Sequence, residues 1–249
     1  MSKPLPFGAA QFEELFDQFV RAQTDGHRLD ERDDVKAMRN AKCADYFFPD
    51  SDVIMELKTL NEDHSGREYV VERVHKAAAR FRHPASAVNT WLNGEGPLPK
   101  DVEKAVNASV QNSLKNAVRK ANEQIRSTRS ILKGKQDGIL VVANLGEHLF
   151  GPVELLRNLA GHALGRTALS IDAILLITPG VAYSTDGEAP QHYIAPVYSD
   201  GKTYLGDFIE PLAEKWIAFE AASLGQRPVV EKVYELDQMS KAARPASKP

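Results

Sequence analysis

The order of apolar patterns along the chain predicts an α/β fold, a mixed sheet flanked by helices. Three observations favour this fold class. An amphipathic helical pattern comes first and is followed by two short strand patterns that a turn joins. A long helical pattern occupies the middle of the chain, and buried strand patterns then alternate with helical ones. The length of 249 residues suits one elaborated domain, expected over 1–239, with a disordered tail over 240–249.

The first elements are predicted from local periodicity and turn composition. Apolar side chains at helical spacing predict a helix over 9–23, and the charged stretch after it, up to Asp34, is expected to be a loop. Extended patterns over 42–48 and 53–57 are separated by four turn-forming residues, which predicts a β-hairpin. A helix over 67–82 is expected next, followed by a connector rich in glycine and proline over 92–99.

The remaining elements complete the predicted sheet and its helices. Apolar residues at helical spacing favour a long helix over 101–132, which Gly134 is expected to end. The other predicted elements are buried strands over 138–143 and 171–178, the latter ended by Pro179-Gly180, a helix over 153–164, a late hairpin of 192–198 with 203–206, and a last helix over 209–224.

Composition excludes several classes of protein. Hydrophobic residues make up 43% of the chain and charged residues 26%, values typical of a globular protein and not of a disordered, collagen-like or coiled-coil chain. No apolar run has the length of a membrane span and the amino terminus does not resemble a signal peptide, so a cytoplasmic protein is expected. The single Cys43 excludes an internal disulfide, and the scattered histidines do not suggest a zinc site.

Positive charge is concentrated in the predicted long helix. Nine basic and three acidic side chains lie between Lys100 and Lys135, a net charge of +6 in a chain whose net charge is −3. Such a segment is either a phosphate-binding face or a solvated helix surface, and charge alone leaves both open. The candidate nucleic-acid-binding residues are Lys115, Arg119, Lys120 and Arg126.

The hairpin carries a cluster of charges on an otherwise apolar scaffold. Residues two apart on a strand share a face, so Glu56 and Lys58 project together, and Asp45 on the facing strand can point into the same space. Burying such a cluster is costly and adds nothing to stability. The alternative is that these residues form an exposed charge pair and an edge-strand surface residue.

The cluster contains the types of residue that metal-assisted phosphodiester hydrolysis uses. Two carboxylates, Asp45 and Glu56, together with a backbone carbonyl such as that of Leu57, suit Mg²⁺ or Mn²⁺. A lysine beside the metal, here Lys58, can orient the attacking water or offset charge that develops on the phosphate.

These residues resemble the core of the PD-(D/E)xK nuclease superfamily. Asp45, followed after a turn by Glu56-Leu57-Lys58-Thr59, is similar to the acid and acid-x-Lys-Thr pattern of its RecB-like members. The resemblance implies a restriction-endonuclease-like core with a helical insertion at about 61–100. It also implies a glutamine on the later helix, for which Gln124 is a candidate, with Lys120 one turn before it on the same face.

Other acids remain open within this resemblance. The literal Pro49-Asp50 lies inside the turn, so the metal acid is assigned to Asp45, with Asp50 and Asp52 as fallbacks. The first helix often supplies a further acid in this superfamily, and here Glu13 or Glu14 is such a candidate, although either also suits a solvated helix surface.

The resemblance implies a divalent-metal-dependent nuclease acting on DNA, with Asp45, Glu56, Lys58 and Gln124 at its catalytic site. One alternative is a nucleic-acid-binding or assembly module of the same fold without catalysis. A nuclease acting on RNA is another, since phosphate chemistry is alike in both nucleic acids. Restriction-like folds often pair to cut two strands, so a homodimer is a further expectation.

Overall fold

The structure is a computed structural model. It describes residues 8–36, 42–60, 67–93, 95–145, 152–164, 170–181 and 191–223. The first residues of the expected helical insertion, 61–66, lie outside the described residues, as do the expected tail over 240–249 and the expected last residue of the final helix, Leu224.

A six-stranded mixed sheet lies at the centre of the described fold. The strands are β1 (His27–Arg28), β2 (Tyr46–Phe48), β3 (Val53–Leu60), β4 (Asp137–Asn144), β5 (Ala173–Val181) and β6 (Gln191–Tyr198). They lie side by side in chain order. The pairs β3–β4 and β4–β5 are parallel, whereas the other three pairs are antiparallel. The mixed sheet and the hairpin β2–β3 are therefore confirmed.

Helices cover both faces of the sheet. They are α1 (Ala9–Gln23), α2 (Asp33–Lys36), α3 (Arg67–Arg80), α4 (Ala85–Leu92), α5 (Lys100–Leu132), α6 (Pro152–Ala163) and α7 (Gly206–Ser223). On one face, aromatic side chains of α1 pack around Trp216 of α7. On the other face, apolar side chains of α5 and α6 pack against the strands. The sheet flanked by helices is therefore confirmed as well.

The alternation of side chains along β3 determines where its charged residues lie. Val53, Met55 and Leu57 join the core beside α1 and α7. Ile54 and Leu60 join the core beside α5 and α6. Because side chains alternate with a period of two, Glu56 and Lys58 face α5.

A helical unit lies between β3 and β4 in the sequence. Helices α3 and α4 and the beginning of α5 enclose their own small apolar cluster, formed by Val74, Ala77, Ala78, Val88, Val102 and Val106. His83 Nε2 lies 2.8 Å from a carboxylate oxygen of Asp101 and so connects the α3–α4 turn to α5. The sequence pattern missed α4, whose eight residues are too few to show clear periodicity.

Three expectations for local structure were wrong. The loop to Asp34 contains β1, a short 3-10 turn and α2. Strand β5 continues past Pro179 to Val181, because an irregularity in its pairing with β6 accommodates the proline. The expected late hairpin does not form, since Thr203–Leu205 is a 3-10 turn that leads into α7.

Alanine substitutions at two glycines are expected to have opposite effects on the free energy of unfolding. A Cβ atom at Gly138 would lie 2.1 Å from the carbonyl oxygen of Ser170, so Gly138→Ala is expected to lower the free energy of unfolding by about 2–3 kcal/mol. A Cβ atom at Gly161 in α6 would meet nothing within 4 Å, so Gly161→Ala is expected to raise it by about 0.5–1 kcal/mol. Urea unfolding measures both, and equal midpoints for the two variants would contradict this packing.

Candidate active site

The charged residues of the hairpin converge in the structure. The Lys58 ammonium forms an ion pair with the Glu56 carboxylate. Lys58 Nζ also donates a hydrogen bond of 3.0 Å to Gln124 Oε1 on α5. Asp45, immediately before β2, accepts the backbone N–H of Leu57 on its Oδ2 at 2.8 Å. The structure thus brings Asp45, Glu56, Lys58 and Gln124 together.

Glu56 is the most deeply buried member of this cluster. Its relative exposure is 0%, and its Oε2 atom has no hydrogen-bond partner among the residues that the structure describes. Burial, and secondarily the nearby Asp45 charge, raises the pKa of Glu56 to about 8. Burial also raises the pKa of Asp45. The interpretation of Glu56 and Lys58 as an exposed charge pair does not fit a buried carboxylate beside a lysine side chain that is only 24% exposed.

The donor set suits a cation that keeps part of its water shell. Within the described ranges, no three His, Cys, Asp or Glu side chains lie close enough together to hold a metal ion. The candidate ligands are instead two carboxylates and one backbone carbonyl, a set that Mg²⁺ accepts with waters completing its coordination. The N–H and C=O of one strand residue point to the same side, so the Leu57 carbonyl is directed to the side of β3 on which its N–H meets Asp45. The unpartnered oxygen of Glu56 is the remaining candidate donor, and the chemistry of this donor set suits the ion.

Gln124 connects the lysine to the segment that precedes the acid. Its Oε1 accepts from Lys58, while its Nε2 donates to the backbone carbonyl of Cys43 at 3.0 Å. Both ends of the amide are therefore used, and the long helix is joined both to β3 and to the segment before β2.

The other candidate acids differ in position. Glu13 accepts a hydrogen bond of 2.8 Å from the hydroxyl of Thr59, and its charge contributes to the raised pKa of Asp45, so α1 brings it to the edge of the cluster. Glu14 is exposed. Asp50 and Asp52 belong to the hairpin turn, and even Asp52 is four residues from Glu56, about 13 Å along a strand. The fallback acids are therefore not brought to the cluster.

An open cleft of about 690 Å³ lies near the hairpin turn, at the amino ends of β3 and β4. Among its lining residues are Asp50, Asp137 and Asp207. None of the four clustered residues lines this cleft. The cleft and the cluster are therefore in different parts of the molecule.

The four basic candidates of α5 are all exposed, but they do not share one face. At about 100° per residue, Lys120 lies about 40° from Gln124 around the helix. Lys115, Arg119 and Arg126 lie about 140–180° from it, and Arg119 is paired with Glu123 at 2.7 Å. Lys120 is therefore the basic side chain placed on the same side of α5 as the cluster.

Sequence reasoning assigned no role to two side chains next to the cluster, Thr59 and Thr128. Thr59 hydrogen-bonds Glu13, and Thr128 hydrogen-bonds the backbone before Asp45. The acid-x-Lys-Thr pattern pointed to Thr59, but no local signal pointed to Thr128, which lies 84 residues from its partner.

Comparisons of the chain with protein-family models, with curated proteins and with solved structures find no match. In the part of the chain that the structure describes, no helix is both long enough and apolar enough to cross a membrane.

Proposed function

We propose that the chain is a divalent-metal-dependent nuclease with a restriction-endonuclease-like core, acting on DNA. The observation that carries the proposal is the convergence of Asp45, Glu56, Lys58 and Gln124 around a fully buried carboxylate oxygen without a partner. An orphaned buried carboxylate is costly for a purely structural cluster, and a cation supplies the missing partner.

Each residue has a role that its contacts support. Asp45, Glu56 and the carbonyl of Leu57 would hold Mg²⁺ or Mn²⁺, which when bound polarises the phosphate and lowers the pKa of a bound water. Lys58 would orient that water or offset charge on the phosphate. Gln124 holds the Lys58 ammonium through its Oε1 atom and so restricts its position.

A second candidate function is a binding module of the same fold without catalysis. It is favoured by the pKa of about 8 for Glu56, since a protonated Glu56 is a poor metal ligand near neutral pH. A nuclease acting on RNA would use the same residues, and the cleavage assay below distinguishes it from one acting on DNA. The homodimer expected from the resemblance is tested separately, by measuring the oligomeric state.

The test is a cleavage assay on circular DNA, linear DNA and RNA, each with Mg²⁺, with Mn²⁺ and with EDTA. Lys58→Ala, purified in parallel, is the control for contaminating nucleases. Metal-dependent cleavage that the variant lacks supports the proposal, and the preferred polymer identifies the substrate. Absence of cleavage with either metal by a folded wild type, together with nucleic-acid binding, supports the binding module instead. Size-exclusion chromatography with light scattering measures the oligomeric state.

The basic side chains of α5 give a prediction about substrate binding. Because Lys120 lies on the side of Gln124, Lys120→Gln is expected to weaken binding of a labelled oligonucleotide and to reduce the slope of log affinity against log salt by about 1. The same change at Lys115, on the opposite side of the helix, is the matched control and is expected to have less effect. Equal effects at both positions would contradict the proposal that Lys120 contacts the bound nucleic acid.

A further inference from the structure

Thr128 lies on the inner face of α5, one turn after Gln124, with a relative exposure of 0%. Its hydroxyl donates to the Gln124 carbonyl at 2.9 Å, a bond that threonine commonly makes within a helix. The same oxygen accepts the backbone N–H of Ala44 at 2.8 Å, which is a long-range contact. The side chain therefore fixes the residue that immediately precedes Asp45.

Asp45 lies outside the hairpin ladder. The pairing of β2 with β3 begins at Tyr46, opposite Met55, so ladder hydrogen bonds do not determine the position of Asp45. Other contacts also hold the acid: its carbonyl accepts the N–H of Leu29 at 2.9 Å, its carboxylate accepts the N–H of Leu57, and its backbone hydrogen-bonds the Glu56 carboxylate. The backbone on its amino-terminal side is attached to α5 through Cys43 and Ala44.

We propose that Thr128 is a positioning residue that holds the Asp45 carboxylate in the place required for metal binding. The inference rests on the proposed function, since it assigns Asp45 to the metal. Helix α5 would then position two members of the cluster: Gln124 restricts the position of the Lys58 ammonium, and Thr128 restricts the position of Asp45. Replacing residues that orient metal ligands in this way commonly lowers metal affinity about 10–100-fold.

The competing explanation is that Thr128 only satisfies the buried N–H of Ala44. A matched control separates the two. Asn122, also on α5 and also buried, accepts the backbone N–H of Ser170 at 2.5 Å, but Ser170 precedes β5 and not the candidate site. Asn122→Ala therefore removes the same kind of contact without touching the segment before Asp45.

The experiment uses the full chain as wild type, Thr128→Val, Thr128→Ser and Asn122→Ala. Mn²⁺ binding is measured by electron paramagnetic resonance without nucleic acid, and exchange of the Leu57 amide hydrogen is measured by NMR. Thr128→Val is expected to weaken Mn²⁺ binding at least tenfold and to speed Leu57 exchange at least tenfold. Thr128→Ser, which keeps the hydroxyl, and Asn122→Ala are expected to stay within threefold of wild type in both.

Wild-type Mn²⁺ affinity in Thr128→Val, or the same loss in Asn122→Ala, would overturn the inference. Unchanged Leu57 exchange in Thr128→Val would also overturn it, because the amide reports directly on the Asp45 carboxylate. Failure of the proposed function has a different signature, since the wild type itself then binds no Mn²⁺. The Leu57 exchange rate alone then decides whether Thr128 holds Asp45.

Discussion

Lys58→Ala is expected to lower the rate constant of metal-dependent cleavage about 10²–10⁴-fold at saturating metal and substrate. The ammonium lies between the buried Glu56 carboxylate and Gln124 Oε1, where it could act on a water or phosphate beside the proposed metal ligands. The proposed mechanism does not assign the lysine to the metal. Oligonucleotide binding and the free energy of unfolding are therefore expected to change much less than the rate.

The variant also changes metal affinity, and pH separates this effect from the loss of rate. Lys58 lowers the pKa of Glu56, although burial keeps it at about 8 overall. Without the ammonium, Glu56 releases its proton at a higher pH, so Mg²⁺ affinity near pH 7 is expected to fall. Raising the pH ionises Glu56 and is expected to restore Mg²⁺ affinity but not the rate constant.

The matched control is Lys202→Ala. Lys202 is also partly buried and paired with carboxylates, Asp137 and Asp172, but these lie at the amino ends of β4 and β5 and not at the candidate site. This variant is expected to cleave like the wild type. Full activity of Lys58→Ala at saturating Mg²⁺ would remove Lys58 from the mechanism.

The parts of the fold that local patterns encode were predictable. The hairpin follows from two apolar runs around a turn, and the shared face of Glu56 and Lys58 follows from the period of two. Helix α1 and most of α5 follow from their apolar stripes. Asp45 was expected beside this face from the hairpin; it lies there, but just outside the β2–β3 ladder, where contacts with Leu29 and Leu57 hold it.

The contacts that complete the candidate site were not predictable from local patterns. Gln124 was found through the resemblance, but its contact with the Cys43 carbonyl involves a backbone atom, which sequence does not mark. Thr128 meets Ala44 only through the tertiary packing of α5 against the hairpin region, across 84 residues of sequence. The basic residues of α5 were grouped by sequence density, whereas the helical period separates Lys120 from Lys115.

Glu56→Gln is expected to change the pH dependence of stability. The folded-state pKa of Glu56 is raised from 4.5 to about 8, so the folded protein retains a proton that the unfolded chain releases between these values. The contribution of Glu56 is therefore fully present below pH 4.5, and the free energy of unfolding falls as the pH rises toward 8. Glutamine does not ionise, so the variant is expected to exceed wild type by a few kcal/mol at pH 8 without metal. Urea unfolding between pH 4.5 and 8.5 measures the difference.

Added Mg²⁺ distinguishes a metal ligand from a buried acid of another kind. An ion that binds only the folded state raises its stability, so Mg²⁺ at about 100 times its measured dissociation constant is expected to stabilise wild type at pH 8 by about 2–3 kcal/mol. Glu56→Gln is expected to lose this gain. Glu220→Gln is the matched control, because burial raises the pKa of Glu220 on α7 to about 7, and this variant is expected to keep the gain. Equal Mg²⁺ stabilisation of Glu56→Gln and wild type would show that Glu56 is buried for a reason other than metal binding.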